Sequence, residues 1–468
     1  MQIKSKNLII TSLFVIGFLA LSHQAYAATV TKTLYAWARD LAGNISAYLS
    51  DSVDITMGGN VYYLSPSGSD TTGSGTIGSP WFSLNKAWQY VTAGDTVYMR
   101  GGTYAYTTQQ VIQNKNGTSS SNMIKLWAYP GETPVITKGS PYSYNNDYGY
   151  GVYFSGNYVH IKGLDISYFT QETEHVWHGL RAYGNNNTFE LLNIHHNGAG
   201  MLLGEGSTGN LILNCDFHHN SDPLSPIPYN NGSGLSTSRN TNTSAYNTVR
   251  GSRAYWNTDT GFDAYYNEGF VEWDNCWSFY NGFLPDTFTP TRPAEPFEGC
   301  GWKFGETEYE YPNTYKRLIK NSIAAGNKSI GYTVNGGFFI TRMYNNISYD
   351  NGWIGFELNN GCANTLQNNI AYSDNSYSCS LGNNPNRVVD HNTFIAIEVE
   401  NPNYTLTNGD FIDLDISQLL GARQADGSLP STTFLHLTNG SDLINTGINV
   451  GLPYYGSAPD LGAFETNY

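Results

Sequence analysis

NCWSFYN (residues 275–281), NSIAAGN (321–327) and NNISYDN (345–351) repeat one pattern, Asn-x5-Asn, and NCDFHHN (214–220) and NIAYSDN (369–375) repeat it again. Two weaker copies, LLNIHHN (191–197) and GSRAYWN (251–257), keep the closing asparagine. The closing asparagines fall at 197, 220, 257, 281, 327, 351 and 375, in steps of 23, 37, 24, 46, 24 and 24. The 46 reads as two periods with one copy unrecognised, and the 37 as one period of 23 plus 14 inserted residues around SDPLSPIPYNNGSG. A period of 23–24 residues, holding short β-rich runs broken by Gly and Asn, predicts an all-β parallel β-helix whose coils pair with the coils above and below. Asparagines at one recurring position then stack as an amide ladder that satisfies buried polar groups at every level. The competing reading is that asparagine merely favours turns.

The composition agrees with this. The chain has 468 residues with 50 Gly and 36 Tyr, which suits short strands and turns better than helices. A formal net charge of −15 with 13% charged residues argues against nucleic acid as partner. Residues 1–27 read as a secretory signal, two lysines, an apolar run and Ala25-Tyr26-Ala27, so the expected location is extracellular or periplasmic. No second apolar run is long enough to span a bilayer, and no membrane partner is expected. Five scattered cysteines, Cys215, Cys276, Cys300, Cys362 and Cys379, are read as mostly buried thiols, and the protein is expected to be a monomer. Residues 28–58 alternate like two strands around Ala42-Gly43-Asn44 and resemble the last hairpin of an immunoglobulin-like domain, too short to fold alone. The solenoid is expected over 59–468, capped by a short helix at SLNKAWQYV and closed by an irregular tail along its side.

A second in-phase motif sets the outward face. Gly179-Leu180-Arg181, Gly200-Met201-Leu202, Gly234-Leu235-Ser236, Gly261-Phe262-Asp263, Gly301-Trp302-Lys303, Gly331-Tyr332-Thr333 and Gly355-Phe356-Glu357 share Gly, an apolar residue and a variable one. Strand side chains alternate, so the middle residue points inward and the third outward. With coils roughly 4.8 Å apart, Asp263 and Lys303 become neighbours, and Lys303 is assigned to the coil missing from the asparagine count. Long insertions at 221–240 and 283–298 would wall this column into a groove. The plain alternative is a surface ion pair between Lys303 and Asp263, worth about 0–1 kcal/mol.

NTDTGFDAYYNEG (257–269), GSRAYWN before it and GWKFG (301–305) resemble the core of polysaccharide lyase family 9, secreted right-handed β-helix pectate and rhamnogalacturonan lyases. The likeness runs from about Val61 to the end of the chain, through ARQADGSLPSTTFLHL and GSAPDLGAFE. It implies a right-handed parallel β-helix, an acidic polysaccharide as substrate and Lys303 as catalytic base. It also implies a Ca2+ held by an aspartate cluster, but Ser233 and Thr260 stand where two of the four aspartates are expected, leaving Asp259 and Asp263. Calcium takes six to eight oxygens and loses affinity as carboxylates are removed.

The implied chemistry is β-elimination on a 4-linked uronate, pectin-type or from a glucuronate-containing bacterial sheath or capsule. A base takes the C5 proton, the C4 oxygen leaves, and the substrate carboxylate must be neutralised by a cation or hydrogen-bond donors. A lysine base needs a lowered pKa, which a nearby cation supplies and Asp263 opposes. Without a metal, Arg181, Arg239 or Arg253 would neutralise the substrate, though each also reads as a solvated or stacking side chain. Tyr265 is the favoured sugar platform, whereas most of Trp256, Tyr266, Trp273 and Trp277 should be core. His195 over His218 and His196 over His219 read as a ladder of turn histidines in preference to a metal site. Two rival functions stand beside the lyase: a β-helix glycoside hydrolase using Asp259 and Asp263, and a non-catalytic carbohydrate-binding solenoid.

Overall fold

The computed structural model describes residues 59–144, 149–295, 298–396 and 399–467, with the backbone of 9–10, 29–36, 38–39 and 49–56. Thr29–Ala36 pairs antiparallel with Leu49–Thr56. The signal cleavage residues 25–27 and the turn at 42–44 lie outside the described residues.

From Val61 the chain winds into a parallel β-helix of three long sheets. One of twelve strands runs from Val61–Leu64 to Val388–Asp390. A second, of ten strands from Gly102–Thr108 to Ile370–Tyr372, meets the C-terminal tail. The third, ten strands from Gln110–Gln113 to Tyr377–Leu381, carries the glycine motif and is called the groove sheet below. A helical turn at Leu84–Ala87 buries Leu84 and Ala87 over the first coil, and Ser83 Oγ caps it by accepting from the Lys86 amide at 3.0 Å. All five cysteines are buried.

The asparagine ladder is present and has a clear division of labour. The opening residue of each motif, Asn214, Asn275, Asn321 or Asn345, sits at positive φ, a conformation asparagine tolerates well. The closing residue carries the rungs: the amide of Asn197 donates to Oδ1 of Asn220, and so on through Asn257, Asn281, Asn327 and Asn351, at 3.0–3.3 Å. The last rung is Asp374, not Asn375, because Asn368 takes the positive φ and NIAYSDN is therefore one residue out of phase. Two further ladders, Asn187–Asn210–Asn247 and Asn346–Asn369–Asn392, hold other turns.

The 46-residue step is a single coil. Trp277–Phe279 pairs directly with Ile323–Ala325, and Asn281 donates straight to Asn327, so no copy is missing. The extra length leaves the solenoid as loops before and after Lys303, which loop-closure entropy tolerates readily. The 37-residue step is one coil with an insertion, as expected.

Inside the groove sheet the apolar column stacks in register. Phe262, Trp302, Tyr332 and Phe356 lie ring over ring at 4.8–5.0 Å, all fully buried. The tail packs as an irregular cover on the second sheet, where Phe411, Leu419, Phe434 and Leu461 bury against Phe279, Ile323 and Ile347.

Candidate active site

Strand pairing places the outward residues in the order Arg181, Leu202, Ser236, Asp263, Lys303, Thr333 and Glu357, one per coil. At one end of this column lies a groove of about 660 Å3 lined by Arg181, Arg239, His178, Tyr150 and Tyr265, with Ser233, Asp259 and Asp263 on its floor. That volume suits a carbohydrate segment. The insertion that follows Asn220 contributes Ser225, Pro226, Asn230 and Asn231 to one wall.

Lys303 is 8% exposed, and its ammonium is clamped by two carboxylates: Asp259 Oδ1 at 3.1 Å and Glu298 Oε2 at 2.6 Å. Its register partner Asp263 is not its ion-pair partner, because the Asp263 Oδ1 is turned to accept from the Tyr265 amide at 3.0 Å. Glu298 belongs to the loop after Asn281. There Phe283–Leu284 pairs antiparallel with Thr289–Pro290, and Phe288 packs on Trp256 and Tyr280. The other oxygen of Glu298 lies 3.2 Å from Arg292 Nη1, so one carboxylate is shared by two cations.

The charges are uneven. Burial opposes charge on Lys303, but Asp259 and Glu298 outweigh it and hold the ammonium well above the usual lysine range. Burial likewise opposes Asp259, yet the Lys303 ammonium holds that carboxyl below the usual range. Burial pushes Asp222, Asp263 and Glu298 each up to about 7, with Asp259 adding to the effect on all three. Burial, with Arg181 and Arg239 nearby, lowers His178 to about 3, so its imidazole is neutral.

The donor set does not fit a resident calcium ion. Ser233 Oγ donates to Asp259 Oδ2 at 3.1 Å and Thr260 Oγ1 to Asp259 Oδ1 at 3.0 Å, so both oxygens of that aspartate are engaged before any cation arrives. Lys303 already supplies a positive charge at 3.1 Å from Oδ1. Among the described residues, no three carboxylates bring ligand oxygens within 4.8 Å of one another. Of the expected calcium set, Asp259, Ser233 and Thr260 are brought together as a hydrogen-bonded anchor for the lysine, while Asp263 turns to the Tyr265 amide.

Arg253 needs correction as a substrate ligand. It lies on the sheet that faces the tail, pairs with Asp216 at 2.7 Å and donates to the carbonyls of Leu419 and Gly421 at 2.8 Å. Its job is to fasten the tail, together with Arg423, which also grips Asp216. Arg181 and Arg239 do line the groove, Arg181 wedged between the rings of Tyr150 and Tyr183. Tyr265 lines it too, whereas Trp256, Trp273 and Trp277 are buried. Glu298, Arg292, Asp222 and His178 escape a reading by period because three of them sit in insertions and His178 precedes its glycine motif.

The fold is a parallel β-helix, and its relatives make it a polysaccharide lyase. The chain belongs to the family described as Pel9A-like, right-handed β-helix region, whose profile matches residues 62–384. Pectate lyase L of Dickeya chrysanthemi is 29% identical over 441 residues, 91% of this chain and 96% of that protein. Pectate lyase PEL9 of Emericella nidulans is 29% identical over 412 residues, covering 81% of this chain and 93% of that one. The crystal structure of pectate lyase Pel9A superposes with a TM-score of 0.72 at 27% identity, covering 88% of this chain and 99% of that chain. A rhamnogalacturonan lyase structure superposes with a TM-score of 0.68 at 25% identity, covering 81% and 97%.

Proposed function

We propose that this secreted, monomeric solenoid of residues 59–468 cleaves a 4-linked uronate polysaccharide of the pectin type by β-elimination, with Lys303 as the base. The carrying observation is the 2.6 Å contact between Lys303 Nζ and Glu298 Oε2 beside an arginine-lined groove. At rest the pair is an ammonium and a carboxylate. A bound polysaccharide excludes water, and desolvation disfavours both charges, so the proton passes from Nζ to Oε2. The freed amine then takes the C5 proton. The C5–H electron pair forms the C4=C5 double bond, the C4–O bond breaks, and the leaving oxygen takes the proton held by Glu298. The ammonium and carboxylate are restored, and no proton is left over.

Arg292, which shares Glu298 with Lys303, offsets the carboxylate of the reacting uronate as enolate character develops. Arg181 and Arg239 hold carboxylates further along the chain: four pairings separate Arg181 from Lys303, or about 19 Å at 4.8 Å per coil. The pectate and rhamnogalacturonan lyases among its relatives support a pectin-type polymer. A hydrolase built on Asp259 and Asp263 is disfavoured, since Asp259 is spent on Lys303, Ser233 and Thr260.

The test is a panel of polygalacturonate, rhamnogalacturonan and glucuronate-containing bacterial glycans, with products weighed by mass spectrometry. Elimination yields fragments whose masses sum to that of the parent chain. Fragments that gain one water, or no cleavage of any uronate polymer, would overturn the proposal.

A further inference from the structure

Two neighbouring turns carry the same dipeptide, His195-His196 and His218-His219, one directly over the other. The rings stack between coils at 4.8 Å for His195 on His218 and 4.9 Å for His196 on His219. Within each coil the second histidine has a φ of 54° or 55°, which turns its ring toward the first. Nδ1 then faces Nδ1 at 2.7 Å in both turns. His195, His196 and His218 each bring a ring nitrogen within 4.8 Å of the others.

Three of the outer nitrogens are held by acceptors. His195 Nε2 meets Asp165 Oδ2 at 3.0 Å, His218 Nε2 meets Asn193 Oδ1 at 2.9 Å, and His219 Nε2 meets Asp286 Oδ1 at 3.2 Å. Asn193 is oriented by donating its own Nδ2 to Asp165 at 2.7 Å, which leaves its oxygen for His218. Every one of these contacts requires a proton on Nε2.

The Nδ1 atoms meet in two close pairs, one above the other, while the Nε2 atoms of His195, His218 and His219 are turned away to acceptors. A cation among the Nδ1 atoms suits that arrangement, because each Nδ1 can coordinate while those three Nε2–H groups donate outward. Metal-binding histidines are characteristically oriented in this way by carboxylates or carbonyls on the far nitrogen.

We propose that His195, His196, His218 and His219 form a site for a divalent transition metal of the kind imidazole favours, Zn2+, Cu2+ or Ni2+. With metal–nitrogen bonds of about 2.0–2.1 Å in a tetrahedron, ligand nitrogens lie about 3.3 Å apart. The two short pairs open slightly, and the stacked pairs draw together. The site sits on the sheet that faces the tail, away from Lys303, so its role is to staple two coils. Through Asp286 it also anchors the loop that carries Glu298. The carboxylates recurring beside these rings separate the site from a plain ladder of turn histidines.

The experiment uses untagged protein stripped with chelator and then titrated with Zn2+ by calorimetry, and with Co2+ by visible absorption. One ion per chain should bind, the melting temperature should rise, and Co2+ should give the intense bands of tetrahedral nitrogen ligation. The His195→Gln/His218→Gln double variant should lose at least about a hundredfold in affinity, and Asp286→Asn about tenfold. Failure of the stripped wild type to bind Zn2+, Cu2+ or Ni2+ would overturn the proposal, as would unchanged affinity in the double variant, which would mean an adventitious ion only. If the double variant does not fold, the Co2+ spectrum of the wild type decides: weak octahedral bands would overturn the site.

Discussion

Lys303 and Glu298 meet at 2.6 Å although one comes from the regular strand column and the other from an insertion between coils. The solenoid fixes the lysine and the loop supplies its proton partner. In the proposed mechanism the base and its activation therefore come from different levels of the fold, and each can be perturbed separately.

Glu298→Gln removes one of the two carboxylates that raise Lys303. At rest the proposed pair is an ammonium with a carboxylate, and burial pushes Glu298 up to about 7, so activity should climb with pH as Glu298 ionises. With that carboxyl gone, the rising limb of the kcat/KM profile near pH 7 should be lost. The maximal rate should fall about tenfold or more, because the proton acceptor is lost. A limb that stays in place would break the link between the two residues.

Calcium should be dispensable. Ser233 and Thr260 donate to the aspartate that would otherwise ligate the ion, so a calcium-selective chelator should change turnover by less than about twofold. Loss of activity on chelation, restored by Ca2+, would show that these hydroxyls give way to a metal.

Arg239 and Arg253 should separate binding from stability. Arg239→Ala, in the groove, should raise KM with little change in melting temperature. Arg253→Ala leaves Asp216 with only Arg423 and cuts the ties to Leu419 and Gly421, so about 3–5 kcal/mol of stability is at stake while KM should hold. Urea titration and steady-state kinetics on both variants check this.

Stability should fall as pH rises toward neutrality. Burial pushes Asp222, Asp263, Glu298 and Asp374 to about 7 in the folded chain, against about 3.9–4.3 when unfolded. A folded pKa above the unfolded one gives stability that is complete below the unfolded value and lost as pH rises through the folded one. Asp216 acts in the opposite sense: burial opposes its charge, but Arg253 and Arg423 hold it below the usual range, so its contribution disappears on acidification below about 4. The melting temperature should peak near pH 4–5 and decline toward pH 8. A flat curve over that range would mean these carboxyls are not buried as described.

The sequence was informative wherever the fold is periodic. The ladder from Asn197 to Asn351 and the column from Arg181 to Glu357 follow from spacing, because each coil repeats the same backbone and must present the same residue type at the same height. It was silent where the period breaks. Glu298 and Asp222 reach the site from insertions whose path no repeat dictates. Arg253 is in phase with the ladder, but period alone does not say which sheet will be covered by the tail. The 46-residue step misled because two coils and one coil with long loops have the same length.

The most direct measurement follows ultraviolet absorbance of the unsaturated sugar end on the best uronate substrate, comparing wild type with Lys303→Ala. The account predicts a rise in absorbance for the wild type and a loss of at least about a thousandfold in the variant with its circular dichroism unchanged. A folded Lys303→Ala variant that still generates the chromophore at a comparable rate would contradict it.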